Sequence, residues 1–223
     1  MVANEALLHN WFYGNMYVRE LAAVVFAVLM GSVPVTPIMH WLFGDLDVRI
    51  ARTAAALAPV VNTVKALIPV AIAAHGGGTG IGLAAAVAVV AGHCYCPWRR
   101  FQGGTGIAVL FGALIGVCWP AALIFFTVWL VVAVASNYAA VGSLLSAALS
   151  IVSLWYFLGA PGAFAGVAML LLVASRFGNS FAGLSEGTEP TLRAQPVPER
   201  AIRSVPVTRR ASVVVDGQTV QRV

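Results

Sequence analysis

The chain has 223 residues, 60% of them hydrophobic and only 9% charged, with a formal net charge of +5. Soluble domains carry about 25% charged residues, so this composition excludes an ordinary soluble enzyme and points to an all-α, polytopic membrane protein. The basic residues lie mostly in loops and the tail, without interleaved surface aromatics, which argues against a nucleic-acid partner and makes membrane lipid the expected one.

Residues 1–20 are mixed and amphipathic. They gather Trp11, Phe12, Tyr13 and Tyr17 ahead of the first apolar run, the arrangement of an interfacial belt. The first predicted span covers residues 21–43, with a kink where Gly31-Ser32-Val33-Pro34 and Pro37 interrupt it. A polar loop, Gly44-Asp45-Leu46-Asp47-Val48-Arg49, runs on to Arg52. The second span, residues 54–74, carries Asn62 and Lys65. His75-Gly76-Gly77-Gly78-Thr79-Gly80 reads as a turn, and the third span follows at residues 81–96.

A glycine loop, Gly103-Gly104-Thr105-Gly106, precedes two short apolar runs, residues 107–118 and 121–135, divided by Trp119-Pro120. Further runs follow at residues 138–158 and, after Gly159-Ala160-Pro161-Gly162, at 163–175. A span needs about 20 residues, so each of the two short runs is brief alone and the pair is too long for one crossing. Counted separately they give about seven transmembrane helices. Arg49, Arg52, Arg99, Arg100, Arg176 and the tail arginines then all face the cytoplasm and the N-terminus lies outside. Residues 21–176 are thus the predicted transmembrane bundle, and residues 177–223 a cytoplasmic tail, Pro-containing and mostly disordered. Within that tail Asp216-Gly217 carries a hairpin signal, and Arg209-Arg210-Ala211-Ser212 is similar to a basophilic kinase site. The N-terminus lacks a basic n-region and a small-residue cleavage site, and is read as carrying no removable signal peptide.

Several residues are candidates for chemistry. Gly103, Gly104, Thr105 and Gly106 stand where a new helix starts, so backbone N–H groups there can point at an anion such as a phosphate; a flexible turn is the competing reading. Arg99 and Arg100 directly before the loop suit a phosphate clamp or a topology signal. Lys65 is ionisable inside an apolar span, which is costly unless it is paired or snorkels, and Asn62 lies on the same helix face. His93, at the cytoplasmic end of the third span, suits a general base or a phosphate donor, and His40 approaches the same surface; His9 and His75 face the other side. Arg176 and Asn179 follow the last span on the side of the glycine loop. Cys94 and Cys96 form a C-x-C pair, whereas a metal site wants about four ligands; packing is expected, with no metal or cofactor. No acidic residue lies inside a span, so a carboxylate base in the membrane is not expected, while transfer from an already activated substrate is compatible with anion binding and positioning.

These residues resemble a known family, the bacterial acyl-phosphate:glycerol-3-phosphate acyltransferases of the membrane-embedded PlsY type. Gly31-Ser32-Val33-Pro34 resembles that family's opening G-S-[IV]-P, and Gly44-Asp45-Leu46-Asp47-Val48-Arg49 its G-x-D-[IL]-R element. Asn62-Thr63-Val64-Lys65 is similar to D-x-x-K, with Asn for Asp. The stretch from Gly92 to Ala108 is similar to G-H-x-[FY]-P followed by F-K-G-G-K-G-[VI]-A, and Arg176-Phe177-Gly178-Asn179 with Gly187-Thr188-Glu189 resembles the closing H-R-x-N and G-x-E. The resemblance covers about residues 21–190, in order. Besides Asn62, it departs at four places: the glycine-rich phosphate motif expected between Arg49 and Asn62 is missing, Gln102 and Thr105 replace lysines, and the closing His-Arg is Arg176-Phe177.

The resemblance implies a multi-pass protein of the bacterial cell membrane that moves an acyl group from acyl phosphate to glycerol 3-phosphate in phospholipid synthesis. It places Lys65, His93, Asn179 and the glycine loop around a polar cavity, with Arg99, Arg100 or Arg176 replacing the lost cations. Fewer charge-assisted contacts imply a lower rate. The second reading is a repurposed paralogue that binds a lipid, a phosphate ligand or a membrane partner.

Overall fold

A computed structural model describes residues 2–43, 48–178, 214–215 and 218–219. The chain forms two units, Met1–Leu192 and Arg193–Val223. In the second, strands β1 (Val214–Val215) and β2 (Gln218–Thr219) pair antiparallel, Val215 opposite Gln218, around the Asp216-Gly217 signal. The first is helical among its described residues: α1 (Val2–Ser32), α2 (Val35–Phe43), α3 (Val48–Cys94), a 3-10 turn (Pro97–Arg99), α4 (Ile107–Val117), α5 (Trp119–Ser136) and α6 (Ala139–Ala174).

The first predicted span divides in two instead of kinking. α1 already begins at Val2 and stops at Ser32, and α2 starts at Val35. Pro34 disfavours a helical conformation at Val33, so the helix ends where the sequence reading only bent it. The turn expected over residues 75–80 contracts to one residue. Gly78 (φ 79°, ψ 179°) alone leaves the helical region, a conformation that side-chain-bearing residues rarely adopt. The two halves of α3 fold back on each other there, so Gly82 abuts Ala74 and, farther down, Lys65 reaches His93. Gly159 (φ 70°, ψ −157°) does the same for α6, which brings Gly166 against Ile151. Trp119-Pro120 divides α4 from α5 as expected, and the Phe111 ring lies 6.0 Å from Phe125 and 5.5 Å from Phe126 across that reversal. Asn137 (φ 65°) turns α5 into α6, where Trp129 Nε1 donates to Ser143 Oγ at 3.1 Å.

Small residues let the helices meet through their backbones. A Cβ on Gly31 would overlap the Val89 carbonyl, on Gly92 the Val28 carbonyl and on Gly112 the Thr63 carbonyl. Alanines such as Ala66, Ala85, Ala113 and Ala147 fill the fully buried positions. Many large side chains point outward: Leu57, Val60, Val64, Ile68 and Ile72 form an exposed stripe along the first half of α3. Such an apolar exterior suits lipid, not water. Among the described residues three helices are long and apolar enough to cross a membrane: Ala56–Arg99, Trp119–Ser136 and Ala139–Ala174. Two of these contain the glycine reversals, and α4 is a shorter apolar helix. Ser143, Ser146, Ser150 and Ser153 are buried along α6, and each satisfies its hydroxyl on a carbonyl three or four residues earlier.

Candidate functional site

A cavity of about 550 Å³ opens where the α1–α2 junction, the end of α3 and the glycine loop converge. Ser32, Val33, Pro34 and Thr36 form one side; His93, Cys96, Arg99, Gly103 and Gly104 form the other.

Lys65 stands behind the wall, not in it. Its side chain is 6% exposed and its ammonium donates to the carbonyls of Gly31 at 3.0 Å and Val33 at 2.7 Å. These carbonyls flank the end of α1, where orphan acceptors need partners. The third neighbour of Lys65 Nζ is His93 Nδ1, at 3.2 Å. Lys65 therefore satisfies its charge inside the protein without snorkelling, and it does not line this cavity. Asn62 is equally buried, and its Oδ1 has no hydrogen-bond partner.

The glycine loop is divided in its roles. Gly103 N donates to the Cys94 carbonyl at 3.1 Å, and a Cβ there would run into the His93 and Cys94 carbonyls. A Cβ on Gly104 would lie 2.6 Å from His93 Nε2, so the imidazole edge faces this glycine across the cavity wall. Gly106 (φ 83°) caps α4 and packs against Cys94 Sγ and Val173, away from the cavity. Thr105 is exposed and also outside the wall. Only Gly103 and Gly104 of the four loop candidates thus face the cavity.

Of the arginines, Arg99 lines the cavity and Arg100 does not. Arg100 closes the 3-10 turn in the left-handed conformation (φ 52°), as does Phe101 (φ 62°), so this corner is tightly wound. Arg176 acts on the loop from behind: Nη2 donates to the Gly103 carbonyl at 3.1 Å, and the guanidinium lies 5.9 Å from the Tyr95 ring centroid. Tyr95 in turn shares a hydroxyl hydrogen bond with Ser175 at 2.8 Å. Asn179 lies outside the described residues, as do residues 44–47 and the Gly187-Thr188-Glu189 element; the His40 side chain is likewise not described.

Sequence reasoning did not select Ser32 as a site residue, although it quoted the motif that contains it. Ser32 O accepts from Cys96 Sγ at 2.9 Å, and Ser32 Oγ accepts from Trp98 Nε1 at 3.0 Å. These bonds tie the end of α1 to the corner after α3. Cys94 packs separately against Gly106. The segment between Arg49 and Asn62, where the resemblance places a glycine-rich motif, is continuous helix.

Comparisons with known proteins give the family and the fold. A family model described as glycerol-3-phosphate acyltransferase matches residues 49–187. The glycerol-3-phosphate acyltransferase of Rhodopseudomonas palustris (strain BisB5) is 33% identical over 187 residues, covering 76% of this chain and 94% of that protein. The Brucella anthropi protein of the same name is 30% identical over 199 residues, covering 82% and 98%. A crystal structure of PlsY, an integral membrane glycerol 3-phosphate acyltransferase in its glycerol 3-phosphate form, superposes with a TM-score of 0.70 at 24% identity, over 78% of this chain and 95% of that one. The fold is thus shared with that enzyme, and the chain belongs to the glycerol-3-phosphate acyltransferase family.

Proposed function

We propose that the chain transfers an acyl group from an acyl phosphate to glycerol 3-phosphate in the cavity beside His93. The glycerol hydroxyl oxygen forms the new ester bond to the acyl carbon, and the bond from that carbon to the phosphate oxygen breaks. The hydroxyl proton leaves with the phosphate, so the products are lysophosphatidic acid and inorganic phosphate. The donor is already activated, so holding two anions in register supplies much of the acceleration. The observation that carries this reading is the placement of Arg99, His93, Gly103 and Gly104 on one wall of a cavity of about 550 Å³. Arg99 supplies charge, the loop supplies close backbone approach, and His93 supplies a polar edge. Asn179 joins them by resemblance. Arg100, Thr105, Gly106 and Arg176 shape the corner around them, and Arg176 holds the Gly103 carbonyl.

In this reading the bundle crosses the bacterial cell membrane with seven passes: α1, both halves of α3, α4, α5 and both halves of α6. The N-terminus lies outside, and the cavity and the tail face the cytoplasm, the side favoured by Arg99, Arg100 and Arg176. Complementation tests the function. A bacterial strain lacking its own glycerol-3-phosphate acyltransferase should regain growth when it carries this chain and not when it carries His93→Ala. Failure of the wild-type chain to rescue growth, with normal membrane insertion, would overturn the proposal.

A further inference from the structure

His93 has two ring nitrogens, and the structure gives them different neighbours. Nδ1 lies 3.2 Å from Lys65 Nζ, while Nε2 faces Gly104 at the cavity wall. An ammonium group has three donors and no acceptor. Lys65 directs two of them at the Gly31 and Val33 carbonyls, so its third is the one aimed at His93. The Gly31 backbone is a further partner of the ring; where Nδ1 takes the third Lys65 N–H it accepts, and a neutral imidazole that accepts at Nδ1 carries its proton on Nε2. The side chain that enforces this is itself held: Lys65 is buried, and its ammonium bonds the end of α1, 32 to 34 residues away in sequence.

We propose that Lys65 is a positioning residue that locks His93 in the Nε2–H tautomer, so that His93 presents a hydrogen-bond donor to an anionic oxygen beside Gly104 and does not act there as a proton acceptor. The inference rests on the reading of this cavity as the acyl-transfer site only for the identity of the anion, which is a phosphate or a developing oxyanion. The tautomer itself follows from the protein's own contacts. It also explains why an apolar span tolerates a lysine: the charge is spent on the geometry of its neighbours, with no ligand required. Hydrogen-bond control of which imidazole nitrogen bears the proton is the usual way a protein assigns a histidine its role.

The test is nitrogen NMR of the full chain in lipid nanodiscs, labelled with ¹⁵N-histidine, with the His93 resonances assigned by their loss in His93→Gln. The expected spectrum has a protonated Nε2 and an unprotonated, hydrogen-bonded Nδ1, with the Nε2 signal shifting on addition of glycerol 3-phosphate. A wild-type spectrum with the proton on Nδ1, or an equal mixture of tautomers, overturns the proposal without reference to turnover. Lys65→Met should release the tautomer preference, and Lys65→Gln, which keeps N–H donors, should restore it in part. A Lys65→Met spectrum identical to wild type would show that Lys65 does not set the tautomer. If Lys65→Met does not fold, the wild-type spectrum still decides. Lys65→Met should also lower kcat/KM about tenfold, the loss of one oriented donor.

Discussion

Gly104→Ala isolates the contact between the loop and His93. The new Cβ would stand 2.6 Å from His93 Nε2, 3.3 Å from Cε1 and 3.5 Å from Cδ2. Ordinary contact between such atoms needs about 3.5–4.0 Å, so the ring must retreat by about 1 Å or the loop must lift. Retreat is resisted, because Nδ1 is already 3.2 Å from the buried Lys65 ammonium. The methyl also occupies the position an anionic oxygen would take in front of Nε2. A hydrogen bond to a charged group is worth about 1.5–3 kcal/mol. Its loss lowers kcat/KM by about one to two powers of ten at about 1.36 kcal/mol per power. Gly104 does not sit at positive φ, so the backbone itself accepts alanine, and the only cost to the thermal midpoint is that of displacing the ring or the loop. The assay is the steady-state rate of lysophosphatidic acid formation in lipid nanodiscs with both substrates varied. A folded Gly104→Ala protein with kcat/KM within about twofold of wild type would refute the reasoning, since no contact of useful strength could then lie at that face.

Other substitutions separate scaffold from site. Gly103→Ala drives a Cβ into the His93 and Cys94 carbonyls and should lower the thermal midpoint as well as the activity, unlike its neighbour. Arg176→Leu removes the donor to the Gly103 carbonyl and should reduce kcat/KM about tenfold, with Arg176→Lys recovering only part, because a lysine lacks the planar fork that reaches the carbonyl and Tyr95 together. Gly78→Ala imposes a left-handed φ on a side-chain-bearing residue and should destabilise the fold by about 1–2 kcal/mol, whereas Gly76→Ala, with open space around its Cβ, should be neutral or stabilising in thermal unfolding. A reporter active only in the cytoplasm, fused after Pro190, should be active; a silent one, with an external-side reporter active at the same point, would contradict the seven-pass orientation.

Where the sequence was legible, short-range rules were enough. Trp119-Pro120 marks the start of α5 because proline suits the first helical turn and not its interior. The glycines before Ile107 mark the start of α4 in the same way. Helix boundaries failed where one residue did the work of a loop: Gly78 reverses α3 alone, and nothing in His75-Gly76-Gly77-Gly78-Thr79-Gly80 says which glycine turns. Lys65 and His93 stood out as a buried charge and an interfacial imidazole, but their meeting depends on that reversal. Arg176 looked like a free cation for phosphate, and only the fold reveals its bond to Gly103, 73 residues away. Ser32 was hidden for a similar reason, since its partners Cys96 and Trp98 lie 64 and 66 residues on.

The central claim is acyl transfer in the cavity between the end of α1 and the glycine loop. The measurement that tests it most directly is the conversion of labelled glycerol 3-phosphate to lysophosphatidic acid by the purified chain in nanodiscs, with acyl phosphate as sole donor and phosphate release counted alongside. The account predicts one phosphate released per lysophosphatidic acid formed, and both signals lowered together by about tenfold or more in His93→Ala and Gly104→Ala proteins that remain folded. Absence of product from a folded wild-type chain, or as much product from the two folded variants as from wild type, would contradict it.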